Sequence, residues 1–260
     1  MRRVLRWSFS LFAAAALVVA SGSSLAATTY SIVTVADDFT GNGNCTLREA
    51  LSAAVNNTVV DACPAGSTSG VDTIALGAGT YLLPLGVLEA SSSEEILIHG
   101  PAVDPPVAVI SGGGTHRIFN LFNAAGRLTL EDLELREGLD LGVSAPLGGA
   151  VRSGGSSLTA RRVHFVANVA RRGGAIAWYA TGAPLTLVIE SCLFAQNQAL
   201  HPDPADQAQG GAVWANPTGD AEVRIVDSDF VDNRAASSLP ADNVSAGAVA
   251  ESLPGARLPQ

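Results

Sequence analysis

Gly148-Gly149-Ala150-Val151 followed by Phe165-Val166-Ala167-Asn168, Gly173-Gly174-Ala175-Ile176 followed by Phe194-Ala195-Gln196-Asn197, Gly210-Gly211-Ala212-Val213 followed by Phe230-Val231-Asp232-Asn233: these pairs of motifs decide the fold. A weaker fourth opening is Ala246-Gly247-Ala248-Val249. A motif that returns at a near-constant interval signals similar units stacked in a line. Such repeats specify a scaffold more firmly than a chemistry.

Aligned on their Phe positions, whole columns match. Leu128, Leu158, Leu187 and Val223 share one column, and Leu130, Ala160, Ile189 and Ile225 another. Leu133, Val163, Cys192 and Ser228 follow, then Leu135, Phe165, Phe194 and Phe230, then Gly138, Asn168, Asn197 and Asn233. Within each unit, apolar residues lie two apart, break once, and resume two apart. That spacing predicts two short strands joined by a bend, each with one face inward. A helix would place them three and four apart.

The Phe column advances from 135 to 165, 194 and 230, intervals that fit one circuit of a parallel β-helix. Strand-to-strand crossovers in parallel sheets are almost always right-handed. The predicted fold is therefore all-β, a right-handed parallel β-helix (a solenoid). Stacked circuits lie about 4.8 Å apart, so like residues fall above like. Phe165, Phe194 and Phe230 should stack in the core, and Asn168, Asn197 and Asn233 should form an amide ladder at a turn. The paired glycines supply the corner. Upstream, Ile74 and Leu76, then Ile96 and Ile98, then Leu128 and Leu130 read as earlier rungs. Gly112-Gly113-Gly114 followed by Ile118, Phe119 and Phe122 reads as a turn and a strand. The β-helix is expected over residues 71–260, its last circuit incomplete, because no Phe-x-x-Asn follows Ala246.

Residues 1–26 read as a signal peptide: Arg2, Arg3 and Arg6, the apolar run Leu11 to Ala20, and Ser24-Leu25-Ala26 as cleavage site. The apolar run is short for a membrane span, and no later segment is long and apolar enough to be one. Export to the outside of the cell or to its surface follows. The chain has no lysine. Of its 15 arginines three lie in the leader, which leaves 12 against 24 Asp and Glu. That acidity argues against nucleic acid or anionic lipid as partner.

Residues 27–70 read as an N-terminal cap. Tyr30 to Val35 is strand-like. Thr46-x-x-Glu49 is a capping box, and Leu47, Ala50, Leu51, Ala54 and Val55 form an apolar helical stripe. A capping strand and amphipathic helix suit the first circuit of a stack, whose core is otherwise open. Cys45 and Cys63 flank that helix outside the repeat columns. In an oxidising compartment they are expected to pair, a closure worth roughly 3 kcal/mol. Cys192 falls in an inward column and reads as a buried thiol.

The run Cys45-Thr46-Leu47-Arg48-Glu49-Ala50-Leu51 closely resembles the Cys-Ser-Leu-Arg-Glu-Ala signature of the CSLREA domain, found near the N-terminus of exported bacterial proteins. Its one departure, Thr for Ser, keeps the capping hydroxyl. The repeats resemble the Gly-Gly-Ala-Ile and Phe-x-x-Asn repeats of polymorphic outer-membrane proteins. Together these likenesses span roughly residues 30–250. They imply a secreted or surface-displayed right-handed β-helix of the pectate-lyase-like kind. They carry over no catalytic residue; Arg48 and Glu49 are expected to serve ion pairing and capping.

No catalytic, cofactor-binding or metal-binding residue is assigned from the sequence. The outward column Glu131, Arg161, Glu190 alternates in charge, as do Asp132, Arg162 and Asp227, and both read as ion-pair ladders. Asp227, Asp229 and Asp232 read as a solvated turn rather than a calcium site, which needs six or more oxygens. His201, Asp203 and Asp206 lie in an insertion suited to partner contact. His99, His116 and His164 lack metal-ligand spacing. The expected function is a binding or structural surface, adhesin-like, whose partner is a carbohydrate or a cell-surface protein. The alternative is a carbohydrate-active enzyme, a polysaccharide lyase or glycoside hydrolase on the same fold. A groove with an arginine beside clustered carboxylates would favour that alternative.

Overall fold

The structure is a computed structural model that describes residues 27–122, 126–142, 147–180, 184–201, 208–237 and 249–251. The leader expected over 1–26, the start of the fourth motif at Ala246, and Asp203 and Asp206 lie outside the described residues. The protein is all-β, with parallel strands in four sheets and, among the described residues, one helix.

The first sheet has seven strands in chain order: Thr29–Ile32, Val71–Leu76, Glu95–His99, Arg127–Glu131, Ser157–Arg161, Thr186–Glu190 and Glu222–Val226. The second has six: Gly79–Leu82, Ala108–Ser111, Glu134–Arg136, His164–Val166, Leu193–Ala195 and Asp229–Val231. The third has six: Leu88–Glu89, Phe119–Phe122, Val151–Gly154, Ile176–Tyr179, Val213–Asn216 and Val249–Glu251. The fourth has four: Leu139–Asp140, Val169–Ala170, Gln198–His201 and Arg234–Ser237. From residue 127 onward the chain visits the first, second, fourth and third sheets and returns to the first one strand further on.

Register follows the sequence columns. Leu128 pairs with Leu158, Leu158 with Leu187, and Leu187 with Val223. Leu135 pairs with Phe165, Phe165 with Phe194, and Phe194 with Phe230. The Phe rings stack with centroids 4.6 Å apart at Phe165–Phe194 and 4.8 Å at Phe194–Phe230. These inward side chains join one core whose buried members run from Tyr30 to Ala215, with Phe230 packed against it. Gly173, at φ +60°, adopts a conformation other residues rarely take, and a Cβ on Gly174 would lie 2.2 Å from the Gly211 carbonyl oxygen. The glycine pair thus lets successive corners nest.

Two features of the first circuits differ from expectation. Ile74 pairs with Ile98, and Asp72 with Ile96, so the register is shifted two residues from the alignment of Ile74 with Ile96. Asp72 takes the inward place, 1% exposed, because its carboxylate accepts from the N–H groups of Thr28 and Ser67. The strand expected over Tyr30 to Val35 ends at Ile32, since its partner strand turns away after Gly77 donates to Ile32. Val33 is left 93% exposed. The remaining strand, Thr29–Ile32, is itself a rung, parallel to Val71–Leu76.

The helix spans Leu47–Asn56 and packs on the strands Val71–Leu76 and Leu88–Glu89. Thr46 Oγ1 accepts from the Glu49 N–H at 3.2 Å, and the Glu49 carboxylate accepts from the Thr46 N–H at 3.0 Å. Cys45 and Cys63 form a disulfide. Arg48 is 8% exposed and ion-paired with Asp37, and it donates to the carbonyls of Val87 and Gly86. It thereby joins the helix to the start of the third sheet.

Candidate functional site

In most circuits the link from first to second sheet is two residues: 132–133, 162–163, 191–192 and 227–228. The first residue of each link lies in the left-handed region, with φ of +55° at Asp132, +51° at Arg162, +53° at Ser191 and +49° at Asp227. Asp and Ser tolerate turn conformations by bonding locally. The following residues Leu133, Val163 and Cys192 turn inward and are buried. The residues at the bends form a column in which Asp132 is buried and Arg162, Ser191 and Asp227 are exposed.

One circuit departs from this. Between Glu95–His99 and Ala108–Ser111 the chain runs through residues 100–107, with a cis bond at Asp104–Pro105. This loop stands beside the bend column and makes one wall of a cleft of about 390 Å³. Ala102, Val103 and Pro106 give that wall an apolar surface; Asp132, Arg162, Ser191 and His164 line the other side. The site was not read from the sequence. The prolines at 101, 105 and 106, which interrupt the strand rhythm between Ile98 and Ile110, were the available signal.

The charges in the cleft answer one another. Arg162 donates from Nε to Asp132 Oδ1 at 2.7 Å and from Nη2 to Oδ2 at 2.9 Å. The Asp132 side chain is 9% exposed. Its hydrogen bond raises the Arg162 pKa above the ordinary guanidinium value. On the neighbouring strand, Arg161 Nη1 reaches Glu131 Oε1 at 2.9 Å and its Nε reaches Glu190 Oε2 at 3.4 Å. His164 Nε2 lies 3.5 Å from Asp104 Oδ1, on the exposed tip of the loop.

The second charge column differs from the expected alternation. It holds Asp132, Arg162, Ser191 and Asp227, so Ser191 separates Arg162 from Asp227. Among the described residues Asp227 makes no ion pair. Asp227 and Asp232, both exposed, occupy left-handed bends. His99 shares a hydrogen of its Nδ1 edge with the Gly100 carbonyl at 3.0 Å. Of the insertion residues, only the backbone of His201 is described, and it pairs with Ser237.

The ladder residues lie elsewhere, inside. Asn168 and Asn197 are fully buried, and Asn233 continues their hydrogen-bonded column. Cys192 is buried, donates toward the carbonyls of Glu190 and Ala160 at 3.3 and 3.4 Å, and has its pKa pushed up to about 11 by burial. A thiol so placed is a poor nucleophile.

What the cleft offers is therefore a hydrogen-bonding rim opposite an apolar wall, with its arginine already engaged by a carboxylate. A general acid or base needs a carboxyl free to exchange a proton with substrate. Asp132 instead presents both oxygens to Arg162. No family model, curated protein or solved structure matches this chain. Among the described residues no helix is long and apolar enough to cross a membrane.

Proposed function

We propose that the chain is an exported right-handed parallel β-helix that acts as a binding or structural surface, adhesin-like and without catalytic activity. On this reading residues 1–26 are a removed signal peptide, 27–70 form the CSLREA-like cap, and 71–260 form the β-helix. The repeats stand for those of polymorphic outer-membrane proteins. Localisation is secreted or at the cell surface, and the partner is a carbohydrate or a cell-surface protein. The parallel register, the disulfide and the acidic composition all support this reading.

The observation that carries it is the bidentate Arg162–Asp132 pair. A site built for cleavage would leave its acid, its base or its carboxylate-neutralising arginine facing the substrate. Here Arg162 and Asp132 neutralise each other, while Asp104 and His164 stand on the cleft rim. The enzyme reading draws on one observation, the cleft itself, which does set an arginine beside Asp132 and Asp104. Incubation with plant and bacterial polysaccharides separates the two: a scaffold leaves every chain length unchanged, and an enzyme shortens at least one.

A further inference from the structure

The outer face of the third sheet carries an arginine of a different kind. Arg152 points outward between two aromatic residues, its guanidinium carbon 5.6 Å from the ring centroid of Phe122 and 5.8 Å from that of Tyr179. Its Nη2 donates to the Tyr179 hydroxyl at 2.9 Å. Tyr179 lies flat over Gly154, where a Cβ would fall 2.2 Å from the hydroxyl oxygen, so the tile exists only because residue 154 is glycine. Phe122 is 62% exposed.

Arg48, Arg117, Arg161 and Arg162 each meet a carboxylate. Among the described residues Arg152 makes no ion pair, and its Nε is buried without an acceptor. Two more arginines lie close. Arg117 donates to the carbonyls of Leu147 and Gly148 and pairs with Asp140; Arg172, bridged to Leu147, stands over the Trp214 ring at 5.7 Å. The face is mixed in charge: Glu89 lies in register with Asn120 and Arg152, and Asp140 pairs with Arg117.

We propose that this face docks an acidic segment of a partner polypeptide, with a carboxylate of the partner meeting the edge of Arg152. The proposal deepens the reading of the protein as a binding surface and rests on it. The Tyr179 hydroxyl takes one donor of Nη2 and Nε is buried, which leaves the Nη1 end of the guanidinium to meet a carboxylate. The ring faces turned to Arg152 are covered by it, so a pyranose cannot stack on those faces. Arginine, tyrosine and tryptophan are also the usual anchors of protein interfaces.

The test uses the full chain and labelled poly-L-glutamate, with poly-L-lysine and polygalacturonate as the other probes. Poly-L-glutamate should bind, more weakly as salt rises, and Arg152→Gln or Phe122→Ala should weaken it about tenfold. Phe122 is exposed, so its variant keeps the fold even if Arg152→Gln does not. The proposal is overturned if poly-L-glutamate does not bind, if both variants bind it like the parent, or if polygalacturonate binds in its place. Polysaccharide cleavage would instead defeat the broader reading, so the two failures are distinguishable.

Discussion

Asn197 Oδ1 accepts two hydrogen bonds from Asn168, one from its backbone N–H at 3.0 Å and one from its side-chain Nδ2 at 2.9 Å. Asn197 Nδ2 in turn donates to the Phe165 carbonyl at 2.9 Å and to Asn233 Oδ1 at 2.9 Å. One side chain thus satisfies polar groups of two neighbouring circuits inside the protein. Asn197→Ala would strand the Asn168 N–H and the Phe165 carbonyl in a buried place. It should cost about 2–4 kcal/mol, and the half-buried Asn233→Ala less. Urea unfolding midpoints at unchanged slope measure both.

Phe194 has a stacked ring on each side, whereas Phe230 has one and is only partly buried. Phe194→Ala should therefore destabilise by about 4 kcal/mol, clearly more than Phe230→Ala. Thermal melts of the two variants would show the order, and equal losses would mean the rings do not contribute as a stack.

At the other end, the cap depends on two independent links. Thr46→Ala removes the acceptor for the Glu49 N–H and should cost about 1 kcal/mol. Reducing Cys45–Cys63, 18 residues apart, should cost roughly 3 kcal/mol. Hydrogen exchange in Leu47–Asn56 should speed up in both cases before exchange in the Phe165 and Phe194 strands does.

Cys192 gives the pH prediction. Its folded pKa of about 11 stands above the ordinary value of 9.0. The unfolded thiol releases its proton first, so the group's contribution is full below pH 9.0 and is lost as pH rises toward about 11. Stability of the parent should fall across that window more steeply than that of Cys192→Ala. At neutral pH a thiol reagent should label Cys192 only after unfolding.

The columns from Leu128 to Asn233 were legible because each circuit repeats the same inward positions, and like residues must then stack. The first circuits were not, because Asp72 takes an inward place that polarity assigns to the outside and only the amides of Thr28 and Ser67 explain. The left-handed bends fall on Asp132, Arg162, Ser191 and Asp227, residues whose outward charge pattern hid their backbone role. Neither the cleft wall at 100–107 nor the Arg152 tile follows from periodicity. Both arise from contacts between circuits, one made by an insertion and the other by a glycine that lets Tyr179 lie down.

The bidentate pair of Arg162 and Asp132 makes a direct demand. The parent, Asp132→Asn and Arg162→Gln should be incubated with the same polysaccharides while new reducing ends and unsaturated products are followed. A structural pair predicts no product from any of the three, and lower melting temperatures for the two variants. Cleavage by the parent that either substitution abolishes would contradict the account and make the cleft an active site.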